Sequence, residues 1–260
     1  MNTRTSLART SAAVVVQNHM LQVTALLAMD APVHNDSEVL RDEKLRIFRA
    51  IRPLDPAEAV RGQYQGYREE QDVDKKSKVE TFAALRLHID SWRWSEVPIY
   101  IRAGKHLPVT VTEVVVDLKR PPQTIFDPFT CQECNYLRFR LSPNVLISLG
   151  ARAKQVGEAM LGEQVELVAQ HKSAEEMTAY ERLLGDASRG DSSLFTREDV
   201  VEAAWRIVEP VLGDVAPPHE YEPRSWGPSE ADRLFEGQGG WRNPVEFSPT
   251  SKSPQDRTDC

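Results

Sequence analysis

The hydrophobic period of this 260-residue chain changes twice, from 3.6 to 2 near residue 81 and back near residue 174. A change of period is a change of secondary structure, because a helix repeats its face every 3.6 residues and a strand every 2. Val16, Met20, Val23 and Leu27 fall at i, i+4, i+7 and i+11, which predicts a helix over 14–29 that Asp30-Ala31-Pro32 ends. A second helix is predicted from Asn35 or Asp36, with Glu38 placed for a capping box on Asn35. Leu40, Lys44, Ile47, Phe48 and Ile51 line its apolar side, and it stops before Pro53. Residues 61–70 hold Gly62, Tyr64, Gly66 and Tyr67 and read as an extended or looped crossing, with 71–78 an exposed charged loop.

In the middle of the chain the apolar residues alternate. Ala83, Leu85, Leu87 and Ile89 predict a half-buried strand, and further strands follow at 99–102, 114–118, 137–141, 145–149 and 165–168. Their connections are too short for crossover helices, so the sheet is expected to be large and mostly antiparallel. Helices return at 174–184 and 196–212. In the latter, Thr196 and Asp199 resemble a capping pair, and Val200, Ala204, Ile207, Val208 and Val211 form the stripe. Helices, then strands, then helices make an α+β fold. Seven of the 17 prolines fall in the last 44 residues, so 237–260 is expected to be a tail without regular structure, disordered from Ser248.

Composition removes several functions. Thirty-two basic against 39 acidic side chains leave a net charge of −7, which argues against nucleic acid or an anionic membrane as partner. No apolar stretch approaches the roughly 20 residues that span a bilayer. Arg4 and Arg9 precede the first carboxylate, Asp30, as in a targeting leader, but the apolar run at 12–16 is shorter than the roughly 7–15 residues of a secretory core. Three cysteines, Cys131, Cys134 and Cys260, are too few for a disulfide framework and fit a reducing compartment, the cytoplasm.

The residues able to carry chemistry are few. Gly237, Gly239 and Gly240 follow no strand, so they make no dinucleotide fingerprint. Cys131 and Cys134 form a C-x-x-C, but a structural zinc needs two further ligands at compatible spacing and none is evident, so no metal is expected. His19 lies beside the apolar stripe of the first helix, where a partly buried core histidine is the plain alternative to a functional one. Lys105 follows Gly104 at a strand end. It is either a solvated surface charge or a cation for sugar oxygens or phosphate, with the glycine allowing close approach.

Eight segments occur in a fixed order: Gln17-Asn18-His19-Met20-Leu21-Gln22, Arg41-Asp42-Glu43-Lys44, Gly62-Gln63-Tyr64, Thr81-Phe82-Ala83-Ala84, Trp92-Arg93-Trp94, Arg102-Ala103-Gly104-Lys105, Glu202-Ala203-Ala204-Trp205-Arg206 and Gly227-Pro228-Ser229-Glu230-Ala231-Asp232. Together they closely resemble the C-terminal domain of bacterial NADP-dependent glucose-6-phosphate dehydrogenases, from about Val15 to Phe235. The resemblance divides the chain into an unmatched segment at 1–13, the domain at 14–236 and the tail at 237–260. It implies that His19 is the general base that takes the proton of the sugar's anomeric hydroxyl, while hydride leaves the same carbon for NADP. Lys105 is implied as a contact to the phosphate of glucose 6-phosphate. Dimers of the family form through the sheet, which implies a homo-oligomer.

Three departures accompany the resemblance. The family's nucleotide-binding domain and its R-I-D-H-Y-L-G-K segment have no counterpart in this chain, Ala13-Val14 replaces an arginine–aspartate pair, and Thr110 stands where some members carry a second basic residue. The reading is therefore a truncated glucose-6-phosphate dehydrogenase that is inactive alone. The alternatives are a non-catalytic dimerisation module and one half of a split enzyme.

Overall fold

The computed structural model describes residues 15–34, 36–119, 134–157, 161–170, 179–191, 195–212, 217–235 and 239–246. Asn35, Ala13-Val14, Cys131, Cys260, the start of the 174–184 helix and the tail beyond 246 lie outside them. The fold is α+β with mostly antiparallel strands, as the pattern predicts, but the strands divide between two four-stranded sheets in two compact units. Alternation shows that a segment is a strand and says nothing of which strand it pairs with, so one sheet and two look alike in sequence.

The first unit holds residues 1–108 and 176–238. Its helices begin with a π-helical turn, Val16–Met20, that runs into α1, Leu21–Ala28. The buried face is not the predicted 16, 20, 23, 27 stripe but Val16, Leu21, Thr24, Ala25 and Ala28, while Leu27 is exposed. The cause is the π turn: the Leu21 N–H bonds to the Val16 carbonyl five residues back, adding one residue to the turn and moving the stripe on by one position. Helix α2, Ser37–Ala50, is capped by Asp36, whose carboxylate accepts the Glu38 N–H at 2.7 Å. After α3, Ala179–Arg189, comes α4, Glu198–Val208. The expected Thr196–Asp199 capping pair is absent: Arg197 stands at the N-cap without a side-chain cap and bridges Asp199, Glu38 and Asp42, tying α4 to α2.

The sheet of this unit has the order β3-β2-β1-β8, from Ala59–Tyr64 (β1), Phe82–Leu87 (β2), Ile99–Gly104 (β3) and His219–Tyr221 (β8). Strand β1 overlaps the start of the segment that the sequence reads as an extended or looped crossing, and its residues are extended. Arg61, Gly62 and Gln63 break its alternation because their polar groups are satisfied inside: Arg61 pairs with Glu80 at 2.9 Å, and the Gln63 amide donates to the carbonyls of Ser77 and Val79. Strand β2 is buried on both faces rather than half-buried. Ala83, Leu85 and Leu87 join Val16, Phe48 and Ile207 in the core under the helices. Its other face is covered by the 3₁₀ segment Ser229–Phe235, which packs on β1 and β2. Strand β8 pairs parallel with β1 and, at three residues, is too short to announce itself.

The second unit holds residues 109–175 and 239–260. Strands Thr112–Asp117 (β4), Tyr136–Ser142 (β5), Leu146–Lys154 (β6) and Gly162–Gln170 (β7) form an antiparallel meander. Residues directly opposite share a face, so Val116, Leu137, Leu149 and Leu167 form one apolar row across all four strands, and Val114, Phe139, Ile147 and Ala169 a second. The reverse face holds the buried ion pairs of the sheet and is covered over β4 and β5, while its β7 residues, Val168 among them, stay exposed. Arg140 pairs with the buried Glu113 at 2.8 Å and donates to the Val245 carbonyl, and Arg242 lies over the Tyr136 ring and pairs with Asp117. No helix among the described residues is long and apolar enough to cross a membrane.

Candidate functional site

His19 is exposed, which sets aside the core histidine. The π turn explains why. An ordinary α-helix through Val16 would carry Met20 on the buried stripe; the extra residue puts Leu21 there instead and leaves Asn18 and His19 outward while Gln17 stays buried. The Thr24 hydroxyl donates to the Met20 carbonyl at 2.9 Å, a back-bond onto the last residue of the π turn. It borders strand β3 and helix α4 within the first unit. Its π geometry carries no sequence signal beyond the polar Gln17-Asn18-His19 run itself.

Lys105 begins the turn that leaves β3. Its N–H donates to the Thr81 carbonyl at 2.8 Å, and its side chain is exposed, without a hydrogen bond or ion pair among the described residues. Three glycines of three separate motifs meet at the fully buried Phe82 ring beneath it. A Cβ on Gly104 would come within 2.8 Å of that ring, one on Gly62 within 3.1 Å of the Phe82 side chain, and one on Gly227 within 2.2 Å of the ring. Gly227 also needs its φ of 101°, which a side chain disfavours. The glycine before Lys105 thus has a packing reason of its own, the Phe82 ring that occupies the place of a Cβ.

The surroundings of the turn are polar and aromatic. His106 lies 4.5 Å from the Tyr64 ring and 4.0 Å from the Glu70 carboxylate. The Tyr64 hydroxyl bonds to Glu70, and burial, then that carboxylate, pushes its pKa well above the ordinary phenol range. Arg102, two residues before Gly104, lies over Trp226 at 4.6 Å, and burial pushes its pKa down to about 10 against the opposing pull of Asp232. Tyr221 and His106 are the residues that sequence reasoning misses. Tyr221 touches the Lys105 carbonyl from 116 positions away, a separation no local pattern reveals.

Lys105, His106 and Glu70 are exposed. A cavity of about 20 Å³ lies under Val16 beside the Arg61–Glu80 pair, room for one water and not for a sugar. Among the described residues no three His, Cys, Asp or Glu side chains cluster as metal ligands, and Cys134 is a free thiol. Nor do the described residues offer NADP a strand, glycine turn and helix in succession: Gly239 and Gly240 lie in an irregular segment.

Comparison with known proteins gives a consistent result. The family model described as glucose-6-phosphate dehydrogenase, C-terminal domain, matches residues 12–242. Glucose-6-phosphate 1-dehydrogenase 1 of Mycobacterium bovis is 43% identical over 231 residues, which cover 88% of this chain and 49% of that protein. The Treponema pallidum enzyme is 37% identical over 255 residues, again half of its length. The crystal structure of glucose-6-phosphate 1-dehydrogenase from Mycobacterium avium superposes with a TM-score of 0.85 at 43% identity, covering 95% of this chain and 54% of that one. A glucose-6-phosphate dehydrogenase in complex with its substrate glucose 6-phosphate superposes with a TM-score of 0.77 at 32% identity. The chain spans about half the length of the curated relatives it matches. It belongs to the glucose-6-phosphate dehydrogenase C-terminal domain family.

Proposed function

We propose that this chain carries the sugar-phosphate chemistry of a glucose-6-phosphate dehydrogenase, with His19 as general base and Lys105 as a phosphate contact. The observation that carries the reading is their placement: an exposed histidine on a π turn that borders the strand whose end bears an exposed lysine without an ion-pair partner among the described residues. A neutral imidazole takes the proton of the C1 hydroxyl and becomes imidazolium, so that electron density on oxygen drives oxidation at that carbon. The ammonium of Lys105 meets the phosphate through a charge-assisted hydrogen bond. On this reading this chain's share of the reaction is the proton and the phosphate, and the hydride that leaves C1 passes to NADP, the family's acceptor. The cytoplasm is the compartment this reading implies.

The test joins the chain to the nucleotide-binding half of a relative. Lys105→Ala is expected to weaken substrate binding by about 1.5–3 kcal/mol while the rate at saturation holds. The 260-residue chain by itself, mixed with glucose 6-phosphate and NADP, is expected to produce no reduced cofactor. Turnover at about 10 s⁻¹, an ordinary enzyme rate, would overturn the division of labour.

A second reading, self-association through the sheet of the second unit, rests on its inverted exposure. Leu167 is 65% exposed and Ile147 49%, whereas Arg140 and Glu113 on the reverse face are buried. A sheet that buries its ion pairs on one face and leaves apolar side chains such as Leu167 and Ile147 to water on the other is completed by another apolar surface, and a second copy presents the same one. Sedimentation of the chain at micromolar concentration is expected to show a dimer or larger. A folded monomer would refute the reading.

A further inference from the structure

We propose that Tyr221 is a positioning residue for Lys105, acting through a buried hydrogen-bond chain that ends on the Lys105 carbonyl; the proposal rests on the reading of Lys105 as the phosphate contact. The chain has one consistent direction. The Tyr221 hydroxyl lies 2.8 Å from the Lys105 carbonyl and 3.4 Å from the Thr81 carbonyl, both of which can only accept, so Tyr221 donates, over the shorter distance to Lys105. Its oxygen is then left to accept from the Thr81 hydroxyl at 3.1 Å, and Thr81 in turn accepts the Tyr64 N–H at 3.0 Å. Each donor is polarised by the bond it accepts. Thr81 is 2% and Tyr221 3% exposed, so water does not replace a lost member.

Two further contacts close the grip. The Lys105 N–H is held by the Thr81 carbonyl at 2.8 Å, and the Arg224 N–H donates to the His106 carbonyl at 2.7 Å. The residues that meet there, His106 at φ 53° and Arg224 at φ 66°, both lie in the left-handed region, which non-glycine residues keep only where surroundings over-determine it. Segment 221–224 therefore clamps turn 104–106 at two points. Lys105 is fixed at its N–H and at its C=O, while its ammonium remains open to solvent. Fixing the backbone from which a long cationic side chain departs reduces the ordering cost of meeting a phosphate.

Tyr221→Phe removes the hydroxyl without leaving a cavity and tests the clamp in the intact 260-residue chain. Amide hydrogen exchange is expected to quicken at least about tenfold at Lys105, with the core amides of Phe48 and Ile207 unchanged, because local opening is separable from global unfolding. Glucose 6-phosphate binding, followed by nuclear magnetic resonance titration, is expected to weaken about two- to tenfold, and Thr81→Val to do the same while Thr81→Ser restores it. The weakening is expected to vanish on a Lys105→Ala background, since a positioning residue acts through the group it positions. Equal weakening with and without Lys105, or faster exchange throughout the core, would overturn the proposal. If Lys105→Ala binds the sugar phosphate as the parent does, or the parent does not bind it, the reading of Lys105 falls instead. Exchange at Lys105 then decides the clamp alone, an unchanged rate refuting it.

Discussion

The two four-stranded sheets of this chain handle their faces in opposite ways. In the first unit the central strand is sealed on both sides: helices lie over Ala83, Leu85 and Leu87, Gly227 and Tyr221 meet Phe82, and the 229–235 segment packs on β1 and β2. In the second unit residues 239–246 cover the ion-paired face over β4 and β5, and the apolar rows through Leu149 and Ile147 remain open. A sheet closed within its own chain can hold surface groups such as His19 and Lys105 in fixed places. One left apolar on the outside is, on the self-association reading, completed by a second copy. The same alternating pattern thus gives a sealed sheet in one place and a part-open one in the other, and exposure rather than periodicity separates them.

That contrast can be broken by substitution. Phe82→Ala empties the point where Gly62, Gly104 and Gly227 converge, and a loss of about 3–5 kcal/mol in denaturant unfolding is expected for a fully buried aromatic. An unfolding midpoint within error of the parent would mean that the first sheet is not sealed as described. Gly227→Ala forces a Cβ onto that same ring at a left-handed backbone position, and about 1–3 kcal/mol of destabilisation is expected from overpacking. In the second sheet, Ile147→Asp changes an exposed side chain, so monomer stability should move by no more than about 0.5 kcal/mol. The same substitution should shift the sedimentation profile toward monomer. An Ile147→Asp variant as destabilised as Phe82→Ala would erase the distinction between the two sheets.

Much of this organisation is legible in the residues. The α+β class follows from the change of period, and the strands at Ile99–Gly104 and Thr112–Asp117 fall where alternation puts them. The family resemblance follows from eight ordered motifs. What escapes the sequence is non-local. Strand β1 hides because Arg61 and Gln63 find buried partners distant in the chain. The phase of the first helix is lost because a single extra residue in the π turn moves the stripe from Met20 to Leu21. Tyr221 reads as one aromatic among six tyrosines until β8 brings it under Lys105. The packing reason for Gly104 stays hidden until the fold sets the Phe82 ring against it.

The assignment of the base remains the center of the functional account, and paired histidine substitutions test it most directly. In the chain joined to a nucleotide-binding half, His19→Asn removes a group used in the transition state, whereas His34 is an exposed residue ahead of helix α2. The turnover number of His19→Asn is expected to fall by about 10²–10⁴-fold, with substrate affinity changed far less and His34→Asn indistinguishable from the parent. Equal turnover for the two variants would contradict the account and leave His19 as an ordinary surface histidine on a π turn.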